Sequence, residues 1–265
     1  MRFAGRPFIL AMTMASICLV GGSASASGSS PAFDHTHSAW TAVLSRYVQD
    51  GRVDYAGLKN KGQGELSVYL RSLQSVDHPQ YQQWSRDQKL AFWVNAYNAF
   101  TIRLILDHYP LDSIQSIGLL PGAAFRTSFI EMPAFRSDKI SLNDIEHEIL
   151  RKQFQEPRIH FAIVCASKGC PQLRSESYRP NDIDRQLDAA ARVFVQDTAR
   201  NHFDAATRTL SLSSIFKWFR EDFETQAGSL PAFVARYAAP PVAAAVEAKD
   251  VRVEFLDYDW SLNGR

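Results

Sequence analysis

The longest hydrophobic pattern in the chain runs from Leu90 to Leu106, where nearly every position is apolar. A helix that is apolar on all sides is typical of a protein core. Ser85 and Gln88 form a capping box before it, in which each side chain bonds a free backbone N–H of the other residue. Pro110 cannot continue the helix. The pattern therefore predicts a buried helix over residues 88–108 at the centre of the domain.

A second apolar run, from Ile159 to Val164, is short and contains β-branched and aromatic side chains. Pro157 precedes it, and Gly169–Pro171 follows it. A short apolar run between such breakers is typical of a buried strand. The sequence thus predicts a strand that leads into a loop carrying Cys165 and Cys170.

The remaining elements follow from helical spacing or from strict alternation. Helices are predicted at 37–48, from Ser141 onward, at 183–196 and at 215–223, strands at 209–212 and 251–255, and a Pro/Ala-rich connector at 238–245. No internal repeat and no change of composition divides the chain. We expect a single α+β domain over residues 33–265, with the helix at 88–108 packed on a small mixed sheet that includes Ile159–Val164, and with flanking helices.

The N-terminal segment has the pattern of a signal peptide. Two arginines precede an apolar run, and Ala24-Ser25-Ala26 forms a cleavage site. The apolar run is too short to span a bilayer. We expect a signal peptide over residues 1–26, a flexible linker over 27–32, and a periplasmic or secreted mature protein with no stable membrane insertion after cleavage.

The overall charge excludes one class of partner. The formal net charge is +1, and no basic block occurs. Nucleic acid is therefore not an expected partner. A small-molecule or peptide-like ligand is the partner class that we expect.

Several polar residues lie where the pattern predicts burial. Asn95 and Asn98 stand three apart on one face of the central helix, so they must bond neighbouring backbone or line a site.

In the helix after Ser141, Leu142, Ile145 and Ile149 define the core stripe. Glu146 falls among them and His147 falls toward the flank. A carboxylate facing the core needs a partner, and His160, Arg174 or an asparagine is the expected one for Glu146.

Cys165 and Cys170 allow three interpretations. They can form a disulfide that closes a small loop. Alternatively, Cys165 is a nucleophile activated by His160 or His147 and oriented by Glu146, Asn95 or Asn98. One objection is geometric, because residues 160 and 165 point to opposite faces of a regular strand. A metal site on His160 and the cysteines is the third alternative, but the C-x4-C spacing is at the edge of zinc usage. Nucleotide-binding and zinc-protease motifs are absent, and no metal or cofactor is assigned.

With these elements placed, the chain resembles the domain of unknown function 547 family. The resemblance rests on six segments in order: GRVDY (51–55), AFWVNAYNAFTI (91–102), SLNDIEHEILR (141–151), RIHFAIVCASKGCPQLR (158–174), LSLSSIFKWFREDF (210–223) and YDWSLN (258–263). The resemblance implies that many bacterial relatives are exported. It implies no activity, since the family's name states that none is established.

Two functional hypotheses follow. The first is a cysteine-type hydrolase or transferase that acts on an amide, thioester or peptide-like substrate, with Cys165, His160, Glu146, Asn95, Asn98 and His147 as candidate site residues. The second is a non-catalytic periplasmic binding or interaction domain with a structural Cys165–Cys170 disulfide. The state of the two thiols separates these hypotheses, because a disulfide removes the nucleophile. The reaction, the substrate and the oligomeric state stay open.

Overall fold

The computed structural model describes Met1, residues 32–247 and residues 250–265. The predicted signal peptide (1–26) and linker (27–32) therefore lie outside the described residues, apart from Met1 and Ala32. Among the helices in the described part, none has the length and apolar character needed to cross a membrane.

The chain is mainly helical and carries two small sheets. The α-helices are α1 (Ser38–Tyr47), α2 (Tyr55–Gly57), α3 (Gln63–Gln74), α4 (His78–Gln82), α5 (Arg86–His108), α6 (Ala123–Arg126), α7 (Ile183–Val195), α8 (Ser214–Trp218), α9 (Arg220–Ala227), α10 (Leu230–Ala235) and α11 (Pro240–Glu247). Leu58–Gly62 and Asp144–Phe154 are π-helical, and Ile114–Ser116, Pro157–Phe161 and Pro180–Asp182 are 3₁₀-helical. The strands are β1 (Val48–Gln49), β2 (Arg52–Val53), β3 (His202–Asp204), β4 (Thr209–Ser213) and β5 (Arg252–Leu256).

Helix α5 has the burial that the sequence predicts. Every residue from Leu90 to Ile102 is buried. The capping box is present: the Gln88 N–H donates to Ser85 Oγ at 3.2 Å, and the Ser85 N–H donates to Gln88 Oε1 at 2.8 Å. The helix packs chiefly against the π-helical segment 144–154, α3 and the 3₁₀-helix Pro180–Asp182. It is the centre of the larger of two hydrophobic clusters.

The three-stranded sheet has the order β3-β4-β5, with an antiparallel β3–β4 pair and a parallel β4–β5 pair. It is thus a mixed sheet, and the α+β fold class is confirmed. The sheet contributes to a second hydrophobic cluster, in which Phe161, Phe216, Phe223 and Phe233 are fully buried.

The predicted strand at Ile159–Val164 is wrong. Pro157–Phe161 is a 3₁₀-helix, which starts where the Glu156 side chain accepts from the backbone N–H of Arg158. The N–H groups of Ala162 and Ile163 then bond the Ile159 carbonyl. These local bonds use the groups that a sheet ladder would need. A short apolar run is equally compatible with a buried helical turn, and periodicity alone does not separate the two.

The helix after Ser141 contains the predicted capping bonds, with the Asp144 N–H donating to Ser141 Oγ at 3.1 Å and the Ser141 N–H donating to Asp144 Oδ2 at 2.8 Å. It then widens into a π-helix. Its buried residues are Ile145, Glu146, Leu150 and Phe154, and Leu150 follows Ile145 by a π-helical turn, where an α-helix would place Ile149. Ile149, predicted for the core stripe, is only partly buried for this reason, while Glu146 is buried as predicted.

Two further differences lie near the C-terminus. The predicted helix at 215–223 is divided into α8 and α9 at Phe219, whose φ of −114° and ψ of 26° are not helical. The predicted connector at 238–245 is largely the helix α11, which begins with two prolines. Proline fits the first helical turn, where its missing N–H costs nothing, and alanine is the best helix former.

Removal of the α5 cap should destabilise the whole domain. We expect Ser85→Ala to lower the free energy of unfolding by about 1 kcal/mol, since the backbone N–H of Gln88 loses its acceptor at the start of the central helix. Ser45→Ala is the matched control. Ser45 is exposed, and its hydroxyl donates to the Ala42 carbonyl within its own helix, so little change is expected. Denaturant unfolding measures both values, and equal stability of the two variants would contradict the role of the cap.

Candidate functional site

A pocket of about 190 Å³ brings together four of the six candidate residues: Glu146, His147, His160 and Cys165. Asn95 and Asn98 do not line it. The pocket lies where the two hydrophobic clusters meet, because Cys165 packs against the larger cluster and Phe219 and Tyr258 pack against the smaller one. Since residues 159–164 do not form a strand, His160 and Cys165 can both reach the same pocket.

Asn98 positions the loop that carries the cysteines. Its Nδ2 donates to the Ala162 carbonyl at 2.9 Å, and its Oδ1 accepts from the Val164 N–H at 2.8 Å. Asn95 makes the same pair of bonds with the N–H and carbonyl of Tyr178, at 3.0 and 2.7 Å. Both carboxamides therefore satisfy buried backbone groups, and the contact of Asn98 with the site is indirect.

Cys165 and Cys170 form a disulfide, with their Cα atoms 6.2 Å apart. The C-terminal segment holds the loop from the other side: the Lys168 N–H donates to the Ser261 carbonyl and the Gly169 N–H to the Asp259 carbonyl, each at 2.8 Å. A Cβ atom at Gly169 would stand 2.8 Å from the ring of Tyr258. Only glycine allows the loop to approach that ring so closely.

The hydroxyl of Tyr258 contacts the disulfide directly. It lies 3.1 Å from Cys165 Sγ, 3.2 Å from Cys170 Sγ and 3.0 Å from Ser167 Oγ. Burial raises the pKa of Tyr258 above its usual range. The group is therefore a neutral hydroxyl that can donate to sulfur.

A partly buried ionic network holds His160, which lines the pocket. Asp222 accepts from His160 Nε2 at 2.7 Å and from two nitrogens of Arg151 at 2.6 and 2.7 Å. Burial by itself raises the pKa of Asp222, but the bonds from Arg151 and His160 outweigh it and hold that pKa below its usual range. A carboxylate only accepts, so His160 carries its proton on Nε2. Burial lowers the pKa of His160 in spite of Asp222, which keeps the ring neutral.

The imidazole of His160 is fixed in place but retains an unused acceptor. Phe219 stacks on it, with ring centroids 3.8 Å apart. Its Nδ1 is buried and has no hydrogen-bond partner within the described residues. His147 lies on the far side of Arg151, whose Nη1 donates to His147 Nδ1 at 3.1 Å. Burial, followed by the charge of Arg151, lowers the pKa of His147.

Glu146 is buried in the pocket wall, as its position on the core stripe predicts. Its expected partner was wrong: the side chain accepts a bond of 3.3 Å from the hydroxyl of Tyr97, not from His160, Arg174 or an asparagine. Burial raises its pKa to about 7, against the smaller opposing effects of Tyr97 and Arg151. The carboxyl can therefore exchange a proton near neutral pH.

Aromatic side chains surround the mouth of the pocket. Trp218, Tyr258 and Trp260 form a cluster, with ring centroids 4.6 to 5.7 Å apart. Trp218 is 47% exposed. An exposed tryptophan at the entrance of a pocket is typical of a surface that contacts a ligand.

Sequence reasoning missed the residues that complete the site: Tyr97, Arg151, Asp222 and Tyr258. All four stand within the segments that carry the family resemblance, so these segments were a signal that could have pointed to them. Their partners are distant along the chain, so spacing could not pair them. No group of three or more histidine, cysteine or acidic side chains suited to a metal ion occurs among the described residues.

One comparison with known proteins finds a match over part of the chain. Residues 81–195 match the family described as "Protein of unknown function, DUF547". The resemblance that the sequence shows is thereby confirmed for this segment. It contains all six candidate site residues, whereas Asp222 and Tyr258 lie outside it. No curated protein and no solved structure matches the chain.

The raised pKa of Glu146 predicts a pH-dependent stability. Between pH 4.5, the usual pKa, and about 7, the folded carboxyl holds a proton that the unfolded chain has lost, so the free energy of unfolding falls as pH rises. Relative to Glu146→Gln, the wild type should lose up to about 3 kcal/mol across this window. Unfolding curves between pH 4 and pH 8 measure the difference.

The matched control for this prediction is Glu148→Gln. Glu148 is exposed on the same helix and pairs with Lys152. Its substitution should leave the pH dependence intact. Parallel curves for the wild type and the Glu146→Gln variant would show that folding does not raise the pKa of this carboxyl.

Proposed function

We propose that this chain is an exported domain that binds a small-molecule or peptide-like ligand in the pocket between Glu146 and Trp218. The observation that carries the proposal is the combination of an aromatic mouth with a buried, protonatable carboxyl. Ligand sites are typically concave and mainly apolar, with a few polar groups that fix orientation. Titratable groups with shifted pKa values are concentrated at such sites.

The size of the pocket limits the group that enters it. An apolar cavity of about 150 Å³ accommodates benzene, and this pocket has about 190 Å³. A single ring or a short branched chain therefore fits. The protonated carboxyl of Glu146 can donate to a carbonyl, and the free Nδ1 of His160 can accept from an amide N–H. An amide with one apolar side chain satisfies all three conditions.

The disulfide favours binding over thiol chemistry. A bonded Cys165 carries no thiolate, and the thiolate is the form that attacks. Disulfides persist in oxidising compartments, which supports the proposal that the chain is periplasmic or secreted. In this function the Cys165–Cys170 bond stabilises the loop that forms one wall of the pocket.

A cysteine-type hydrolase or transferase is the second candidate. The observation in its favour is that Cys165, His147, His160 and Glu146 line one pocket. This activity requires the reduced form of the protein. Incubation of the reduced chain with thioester and amide substrates tests it, and turnover that disappears in Cys165→Ser but persists in Cys170→Ser would support it.

Binding should depend on the exposed tryptophan. We expect N-acetylated aromatic and branched-chain amino-acid amides to shift the NMR signals of pocket residues. Trp218→Ala should weaken the binding at least about tenfold, because it removes a large apolar contact surface. Leu119→Ala is the control, since Leu119 is fully exposed and does not line the pocket. Equal affinity of the two variants, or binding that maps elsewhere, would contradict the proposal.

A further inference from the structure

The two sulfur atoms of the disulfide have different surroundings. Both cysteines line the pocket, but Cys165 is only partly buried. Cys170 is 3% exposed. A thiolate that enters the pocket therefore meets Cys165 Sγ first. Thiol–disulfide exchange depends on which sulfur is accessible and on how well the other sulfur leaves as a thiolate.

Hydrogen-bond donors converge on the sulfur that would leave. The backbone N–H of Cys165 donates to Cys170 Sγ at 2.9 Å. The hydroxyl of Tyr258 donates to the same sulfur at 3.2 Å, and it accepts from Ser167 Oγ at 3.0 Å. Donors that point at a sulfur stabilise its anionic form, and a more stable thiolate leaves faster.

We propose that the Cys165–Cys170 disulfide is a redox site that accepts two electrons from a dithiol. A thiolate of the dithiol attacks Cys165 Sγ, a mixed disulfide forms, and the electron pair of the broken S–S bond goes to Cys170 Sγ. The second thiol of the dithiol, after loss of its proton, attacks the sulfur of the first and releases Cys165 as a thiolate. The dithiol becomes a disulfide, and the protein gains two electrons and two protons.

The surrounding contacts keep the loop in place when the bond opens. Asn98 still holds Ala162 and Val164, and the segment around Ser261 still holds Lys168. Reduction therefore does not require the domain to unfold. Reduction without unfolding distinguishes a redox disulfide from one whose role is only structural. The redox proposal does not depend on the binding function proposed above.

Reduction of the folded full chain by dithiothreitol tests the proposal. Samples are quenched with a maleimide, intact mass counts the free thiols, and circular dichroism monitors the fold. We expect complete reduction with an unchanged spectrum, at a rate proportional to the dithiothreitol concentration. Tyr258→Phe should slow the reaction about tenfold, because it removes one donor to the leaving sulfur. Tyr237→Phe, which lies outside the pocket, should react like the wild type.

The position of attack gives a second measurement that requires no variant. Glutathione replaces dithiothreitol, the reaction is stopped with acid, and peptide mass analysis locates the mixed disulfide. We expect glutathione on Cys165. Glutathione on Cys170, reduction only at the rate of unfolding, or an unchanged rate in a folded Tyr258→Phe variant would each overturn the proposal.

Discussion

Two buried carboxamides on α5 connect the centre of the domain to the segments around it. Asn98 holds Ala162 and Val164, and Asn95 holds Tyr178, each through one N–H and one carbonyl. A buried backbone group without a partner costs about 1–3 kcal/mol, so each side chain satisfies two groups that no strand or helix serves. The cysteine loop follows Val164 directly. Its position therefore depends on Asn98, although Asn98 does not touch the pocket.

The pocket results from the way in which this loop is held on two sides. Asn98 holds it from the larger cluster, and the C-terminal segment with Tyr258 holds it near the smaller one. The two clusters thus meet at the disulfide, and the apolar walls between them bury Glu146 and His160. The same burial shifts the pKa values of both groups toward their neutral forms. The proposed ligand binding and the proposed redox exchange would both depend on this arrangement, but through different atoms.

The sequence predicted what depends on local patterns. The burial of α5, its capping box and the strands at 209–212 and 251–255 follow from spacing and turn chemistry. The segment 159–164 was assigned wrongly, because its hydrogen-bond partners are its own carbonyls and a side chain 66 residues away. For the same reason the Asp222 partner of His160, 62 residues distant, and the Tyr258 partner of Cys165, 93 residues distant, were not predictable from spacing. The burial of Glu146 was predictable, but its partner on another helix was not.

Hydrogen exchange at the Val164 amide tests most directly whether Asn98 fixes the loop. In the wild type this amide should exchange only through global unfolding, since its bond to Asn98 Oδ1 is buried. In Asn98→Ala it should exchange through a local opening of lower free energy. Asn95→Ala is the matched control, because it releases Tyr178 and not Val164. In this variant the Val164 amide should still exchange only through global unfolding. Fast exchange in the wild type, or equal protection of Val164 in the two variants, would contradict the account.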